Sequence, residues 1–436
     1  MNIRYWNREL ETIDRSSLEK YQLENLKETV SWALKTPFYK KRLGEAGISS
    51  SDDIKKLSDI KKIPFTTKDD LRSAYPYGLL ALPKEEVVRL HASSGTTGTP
   101  TVIYHSQRDL DRWTELVSRS VTMIGCGKGD VFQNMMTYGL FTGGIGLHYG
   151  AEKAGLLVIP VSSGNTKRQF KFMKDFQTTF VHATPSYMLH LYSKIEEEGF
   201  KLSDFNLKKS MGGAEPHSED MRKKIESLFN IDMYNNYGLS EMNGPCVATE
   251  CVYKDDMHIW EDSFYLEMIN PDTLEESGEG ESGELVISTL RRQATPLLRY
   301  RTRDLSVINP QPCRCGRTHR RISRIKGRTD DMLIINGVNV FPSQIEEIIM
   351  KMPEIGTNYL IAIEKSGALD KLTVKTEVGP DIFSDDARDL NALRHRIKDN
   401  IKAAISISPN VELHEPGVLP VHEGKAKRVI DDRKND

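Results

Sequence analysis

The apolar positions of this 436-residue chain fall into two spacings. Residues 16–47 carry them at helical intervals, interrupted at Thr36-Pro37. That spacing predicts helices on both sides of the break, because one face of an α-helix recurs every ~3.6 residues. From Gly125 to Arg321 short apolar runs alternate with helical stretches. "LLVIPV" (156–161) and "TFVHATP" (179–185) read as buried strands, with "KRQFKFMKDFQ" and "PSYMLHLYSKIEEEG" as helices beside them. Such alternation favours an α/β sheet. "GEGESGELVISTL" reads as a charged turn entering a strand. A second block begins near Lys326. There "RTDDMLIINGVNVFPSQIEEIIMKM" predicts a strand, a turn and a helix. The runs "LIAIEK" and "LTVKTEV" follow, then a helix over 385–404, and "GVLPVHEGKAKRVID" reads as a loop ending in a short helix. This block has the pattern of a small α+β domain. The sequence shows no internal repeat and no low-complexity tract.

Composition changes the picture little. An apolar share of 38% supports a real core, and a net charge of −2 with 28% charged residues gives no basic surface for nucleic acid or membrane. No apolar run approaches the ~20 residues needed to span a bilayer. The start, "MNIRYWNREL", lacks the basic-then-apolar pattern of a secretion signal. Five cysteines in a chain this long do not make a disulfide framework. A soluble cytoplasmic protein is expected.

Candidate chemistry begins in "HASSGTTGTPTVIYHS" (91–106). Ser93, Ser94, Gly95, Thr96, Thr97, Gly98 and Thr99 crowd one loop before a β-branched strand. Glycines let backbone N–H groups converge on an anion, and hydroxyls add donors, so the loop suits phosphate. A Walker loop would need Gly-Lys-Ser/Thr followed by a helix. Here Gly98 is followed by Thr99 and Pro100. An ordinary Gly/Thr turn is the plain alternative.

Four further stretches join it: "NNYGLSE" (235–241), "YRTRDLS" (300–306), "GRTDDMLIINGVNVFP" (327–342) and "EGKAKRV" (423–429). In this order they resemble the adenylate-forming superfamily of acyl-CoA synthetases and adenylation domains. "YGLFTGGIG" (138–146), "MGGAEP" (211–216) and "INGVNVFPSQIEE" resemble its phenylacetate–CoA ligase branch. The resemblance spans roughly residues 5–432. It implies an α/β fold. A large multi-subdomain adenylate-forming N-terminal domain (1–326) would be joined by a hinge (327–331) to a small mobile α+β C-terminal domain (332–436). It also implies two steps. A carboxylate attacks the α-phosphate of ATP, giving acyl-adenylate and pyrophosphate. The thiol of coenzyme A then displaces AMP. A carboxylate is a poor electrophile, and the mixed anhydride supplies the leaving group.

The resemblance assigns roles residue by residue. The loop Ser93–Thr99 would hold the β- and γ-phosphates; Thr99 and Thr101 stand where many relatives carry a lysine. Tyr237 would stack on adenine, Asn235 would hydrogen-bond the base, and Gly238 and Ser240 complete that nucleotide-binding stretch. Gly213, Ala214, Glu215 and Pro216 would line the adenine. Glu241 would bind Mg²⁺ through carboxylate oxygen, and Asp304 would accept hydrogen bonds from both ribose hydroxyls. Arg328 matches an arginine near ribose and phosphates. Lys425 matches the lysine of the adenylation step, with Lys427 and Arg428 as neighbouring competitors. Asp330 matches the hinge, and in the second orientation Met332–Phe341 would help form the pantetheine path. Tyr138, Phe141, Gly143, Gly144 and Pro185 are acyl-pocket candidates, as aromatic walls over small residues suit a flat ring. For these residues core packing or surface ion pairing is the plain alternative.

Cys313 and Cys315 in "QPCRCGRTH", with Cys251 and His258 in "ECVYKDDMHIW", suit tetrahedral structural Zn²⁺. Cys246 and His319 are substitutes, and reduced buried cysteines are the alternative. The expected partners are a carboxylic acid, ATP with Mg²⁺ and CoA, in a homodimer. The competing activities are an adenylyltransferase of the coenzyme F390 synthetase type, which needs no CoA, and a nucleotide-binding module without catalysis.

Overall fold

The computed structural model describes residues 3–93, 99–278, 280–366, 369–379, 387–420 and 428–434. The chain divides into two compact units. The first comprises Met1–Ser162, Phe180–His182 and Tyr234–Arg324; the second comprises Ser163–Thr179, Ala183–Met233 and Ile325–Asp436.

The N-terminal helices of the first unit form as their spacing predicts. Arg15–Ala33 begins at Asp14, whose carboxylate caps Ser17 N. Thr36 caps the next helix, Pro37–Glu45, with proline in its first turn, where a missing N–H costs nothing. The strands Arg89–Ala92 and Val102–His105, which flank the Ser/Thr/Gly stretch in sequence, pair antiparallel. A parallel trio sets Val131–Asn134 between Leu157–Ile159 and Phe180–Ala183. The helices Gln107–Met123 and Thr142–Lys153 pack closely. A Cβ on Gly150 would lie 2.1 Å from Val117 Cγ1, and one on Gly146 2.2 Å from the Trp113 ring, so this crossing demands glycine.

The remaining strands of the first unit are antiparallel. Phe264–Ile269, Ser282–Thr289, Tyr300–Asn309, Arg321–Ile322, Met257–Ile259, Ala248–Glu250 and Asp232–Tyr237 follow one another as neighbours. The strand–helix alternation read across 125–321 therefore ends at Phe229, the last residue of the helix Glu219–Phe229. Beyond it, short turns suffice to connect neighbours, as antiparallel pairing allows.

The second unit contains the helices Thr166–Asp175, Pro185–Lys194 and Glu219–Phe229. Its C-terminal part opens with the hairpin Leu333–Ile335/Val338–Val340. Asn336 (φ 49°) and Gly337 (φ 81°) form the turn, a pair suited to a two-residue connection with positive φ at both positions. The space around Gly337 is open, so here the backbone angle requires glycine. A four-stranded sheet follows in the order Asn410–His414, Leu369–Val378, Ile355–Ser366, Val429–Asp431. Helices Pro342–Met350 and Ala387–Ile405 bury Ile345, Ile349, Ile397 and Ile401. The short helix expected at the chain's end is instead a strand, Val429–Asp431, followed by a single 3₁₀ turn. It pairs parallel with Ile361–Ile363. An open sheet edge and two β-branched residues outweigh local helical spacing. Among the described residues no helix is long and apolar enough to cross a membrane.

Candidate active site and metal centre

The strand Asp232–Tyr237 delivers the first site residues. Asn235 is buried, its backbone N–H bonded to Glu250 Oε2 at 2.7 Å. Tyr237 and Asp304 lie far apart in sequence, yet the Tyr237 hydroxyl donates to Asp304 Oδ2 at 2.6 Å, both residues being buried. The expected base-stacking ring and ribose-binding carboxylate are thus physically joined. After Tyr237 the chain turns back sharply. A Cβ on Gly238 would lie 2.8 Å from Pro245 Cα, so Gly238 serves backbone approach.

The turn Ser240–Met242 carries Glu241, which is buried. Lys68 Nζ lies 3.9 Å from Glu241 Oε1, and Arg292 donates to the Glu241 carbonyl. Burial pushes Arg292 down to about 10, against the opposing pull of Asp109 and Glu241. The sequence reading missed both cations. "TTKDD" signals a capped helix start at Thr67 and Asp70, but nothing local ties Lys68 to Glu241. Arg292 is buried where the adjacent Arg291 is half-buried, a difference that residue type does not show.

The Ser240 hydroxyl lies 3.3 Å from that of Thr142, which brings the "YGLFTGGIG" stretch to "NNYGLSE". Tyr138 accepts from Asn134 Nδ2 (3.0 Å) and contacts His148 Nδ1 (3.2 Å); burial pushes its hydroxyl up to about 12. Gly144 is required by packing, as a Cβ there would meet Thr137 O at 2.6 Å. Gly143 would place its Cβ 3.4 Å from Met136, and Phe141 is 45% exposed at the head of Thr142–Lys153. Pro185 belongs to the second unit and starts the helix Pro185–Lys194.

Beside the paired strands that flank the Ser/Thr/Gly stretch, Ser93 Oγ and Thr101 Oγ1 are 2.6 Å apart, and Thr99 is exposed. Ser94, Gly95, Thr96, Thr97 and Gly98 lie outside the described residues, as does Lys425. In the second unit Gly213 is buried, Ala214 (φ 68°) and Pro216 are exposed, and Glu215 accepts from Ser186 N (2.6 Å) and Oγ (3.0 Å). Arg328 and Asp330 form a two-pronged ion pair, Nε–Oδ1 2.8 Å and Nη2–Oδ2 2.9 Å.

The second cluster is tighter. Cys251 follows the strand Ala248–Glu250, and His258 lies on the antiparallel partner Met257–Ile259. Cys313 and Cys315 sit in the loop between the neighbouring strands Tyr300–Asn309 and Arg321–Ile322. Sheet register thus gathers all four buried side chains, whose ligand atoms lie within 4.8 Å of one another. Tetrahedral Zn²⁺, bonded at ~2.3 Å to sulfur and ~2.0–2.1 Å to nitrogen, would space S···S by about 3.8 Å and S···N by about 3.6 Å. The observed Cys251 Sγ–Cys313 Sγ and Cys315 Sγ–His258 Nε2 separations are 3.7 and 3.3 Å. His258 Nδ1 lies 3.3 Å from the His319 carbonyl, an outer contact that leaves Nε2 for a metal. Hydrogen bonds from Cys251 and then Cys313 hold the Cys315 thiol low. The donor set fits the ion. His319 itself contacts Glu261 N and the Leu10 carbonyl, and Cys246 lies outside the four.

Comparisons with known proteins agree with this architecture. The model of AMP-binding enzymes matches residues 32–290, and that of the AMP-binding enzyme C-terminal domain matches 337–433. Phenylacetate-coenzyme A ligase of Thermus thermophilus is 44% identical over 98% of this chain and 99% of its own. The structure of 2-hydroxyisobutyryl-CoA ligase in the post-adenylation state with 2-HIB-AMP matches with a TM-score of 0.93 at 27% identity, covering 100% of this chain and 94% of that one. The same ligase in the thioesterification state, with 2-HIB-AMP and CoA, gives 0.73 at 28% identity over 99% and 93%. Those matches place the chain in the AMP-binding enzymes, and it belongs to the phenylacetate–CoA ligase family of AMP-forming acid–thiol ligases.

Proposed function

We propose that the acid this ligase activates is an aryl-acetic or aryl carboxylic acid, with phenylacetate the first choice. The carrying observation is the 44% identity to a phenylacetate-coenzyme A ligase across 98% of the chain. In the first step a carboxylate oxygen bonds to the α-phosphorus while the bond to the bridging oxygen of pyrophosphate breaks. In the second the CoA sulfur bonds to the acyl carbon, the thiol loses its proton, and AMP leaves.

The geometry supports distinct roles. Asp304, held by Tyr237 through Oδ2, is the carboxylate that accepts from the ribose hydroxyls. Glu241 is the oxygen ligand for Mg²⁺, which when bound would neutralise phosphate charge. Lys425 meets the carboxylate and α-phosphate as charge rearranges. Arg328 pairs with Asp330 in this arrangement, and a change of backbone angles at Asp330 would free it for the nucleotide. The C-terminal domain then turns between the two half-reactions about that hinge. Tyr138, its hydroxyl already engaged, offers its ring to the acid together with Phe141, Gly143 and Gly144. Zn²⁺ at Cys251, His258, Cys313 and Cys315 is structural, and the active species is a cytoplasmic homodimer, checked by mass in solution.

The test is carboxylate-dependent pyrophosphate release from ATP across a panel of aryl and aliphatic acids, with and without CoA. Release dependent on phenylacetate or a near relative, with thioester formed only when CoA is present, is expected. No turnover with any acid, but AMP transfer to a deazaflavin hydroxyl, would instead mark the coenzyme F390 synthetase type of activity.

A further inference from the structure

Within the second unit, the C-terminal part is tied to the helix Glu219–Phe229 by buried polar contacts. Glu346, on the helix Pro342–Met350, is buried, and its Oε1 accepts from the backbone N–H of Ser218 at 2.9 Å. Ser218 is the N-cap of the helix Glu219–Phe229. The other oxygen of Glu346 accepts from the Tyr359 hydroxyl at 2.5 Å. One turn further along, Lys224 Nζ donates to the carbonyls of Ile355 (2.9 Å) and Gly356 (3.1 Å). Lys351 stands 4.0 Å from Asp220 at the rim. Tyr359 carries the connection onward: the Arg428 guanidinium lies 4.5 Å from its ring centroid and donates to its carbonyl at 3.0 Å. Arg428 stands three residues after Lys425 in the sequence.

We propose that Glu346 and Lys224 are positioning residues for the adenylation half-reaction, clamping the C-terminal part against the helix Glu219–Phe229. The proposal rests on the two-step, two-orientation reading above. Its chemistry explains why a carboxylate and an ammonium are used. Glu346 meets the N–H of the residue that caps a helix N-terminus, where partial positive charge gathers. Lys224 meets two main-chain carbonyls at the strand start. Neither contact needs a matched side-chain partner, so each is released into water without leaving a lone buried charge behind. An apolar interface of the same extent would hold more stubbornly. The likeness to the related ligase, stronger for its post-adenylation state (0.93) than for its thioesterification state (0.73), supports reading this packing as the first of the two orientations. The consequence is directional. Weakening the clamp costs adenylation and spares, or speeds, thioester formation, since a ligase that turns between two states loses in one what it gains in the other.

Glu346→Gln and Lys224→Met test this, separately and together. Acid-dependent ATP–pyrophosphate exchange should fall by about tenfold in each variant, the effect expected when one contact biases two states. Thioester formation from preformed acyl-adenylate and CoA should remain within about twofold of the parent or rise. An equal fall in both half-reactions, or no fall in exchange, overturns the proposal. Hydrogen exchange across residues 342–356 supplies a readout that needs no substrate. It should quicken in both variants, and unchanged exchange also overturns the clamp. If the parent enzyme exchanges with no acid at all, the functional reading fails while the hydrogen-exchange result still decides the clamp.

Discussion

Removing the metal ligands is the sharpest test of the cysteine–histidine cluster, because its consequence follows from distances already measured. Cys251 and Cys313 are separated by 62 positions, and a zinc ion bonded to both, to Cys315 and to His258 closes that stretch into a loop. Treated as a simple cross-link, closing a loop of that length lowers the entropy of the unfolded chain by an amount equivalent to about 4 kcal/mol at room temperature. The first unit holds roughly 250 residues, for which unfolding entropy is about 0.5 kcal/mol per degree. The metal-free form should therefore melt about 8 °C lower, and so should Cys313→Ser or Cys251→Ser. Protein purified under reducing conditions should carry close to one zinc per chain by elemental analysis. A strong chelator should remove it and lower the melting temperature, and added Zn²⁺ should restore it. Acyl-CoA synthesis at low temperature should survive, since none of the four side chains is among those proposed to touch ATP or the acid. Metal content well below a tenth of an equivalent, or identical melting with and without chelator, would refute the argument and leave four buried but metal-free side chains.

Three further outcomes follow from single contacts. Tyr237→Phe removes a hydrogen bond to a buried carboxylate, an interaction of ~1.5–3 kcal/mol, so the KM for ATP should rise roughly tenfold or more while the KM for the acid holds. An unchanged KM for ATP would separate Asp304 from the nucleotide. Gly150→Ala forces a methyl to 2.1 Å from Val117 and should destabilise the fold by ~1–3 kcal/mol, with partial recovery when Val117→Ala is added; equal melting of parent and variant would contradict the close helix crossing. His182 is fully buried, and burial pushes it down to about 3 from 6.5. Its folded-state value lies below its unfolded one, so stability is full above pH 6.5 and is lost as pH falls from there toward 3. The loss runs at about 1.4 kcal/mol per pH unit. His182→Leu should flatten the acid side of the melting profile between pH 6 and pH 4, and parallel profiles would exclude His182 as the titrating group.

Periodicity was enough to place the helices Arg15–Ala33 and Pro37–Glu45 on either side of Thr36-Pro37, the strand after the Ser/Thr/Gly stretch, and the strand–turn–helix run through Asn336-Gly337. Those features are set by contacts within a few residues, which a linear reading sees. Residue type also singled out Cys251, His258, Cys313 and Cys315 as candidate ligands, which the fold then gathers within 4.8 Å of one another. What only the tertiary structure decided depends on contacts between distant positions. The chain's end became a strand because a sheet edge was open beside Ile361–Ile363. Tyr237 met Asp304, and Lys68 and Arg292 met Glu241, because strands and turns far apart in sequence converge there. Gly238 and Gly144 proved to be demanded by neighbouring backbone. Sequence patterns carry local preference and residue chemistry. Which carboxylate an ammonium or a hydroxyl finds is settled only when long-range packing brings those groups close to each other.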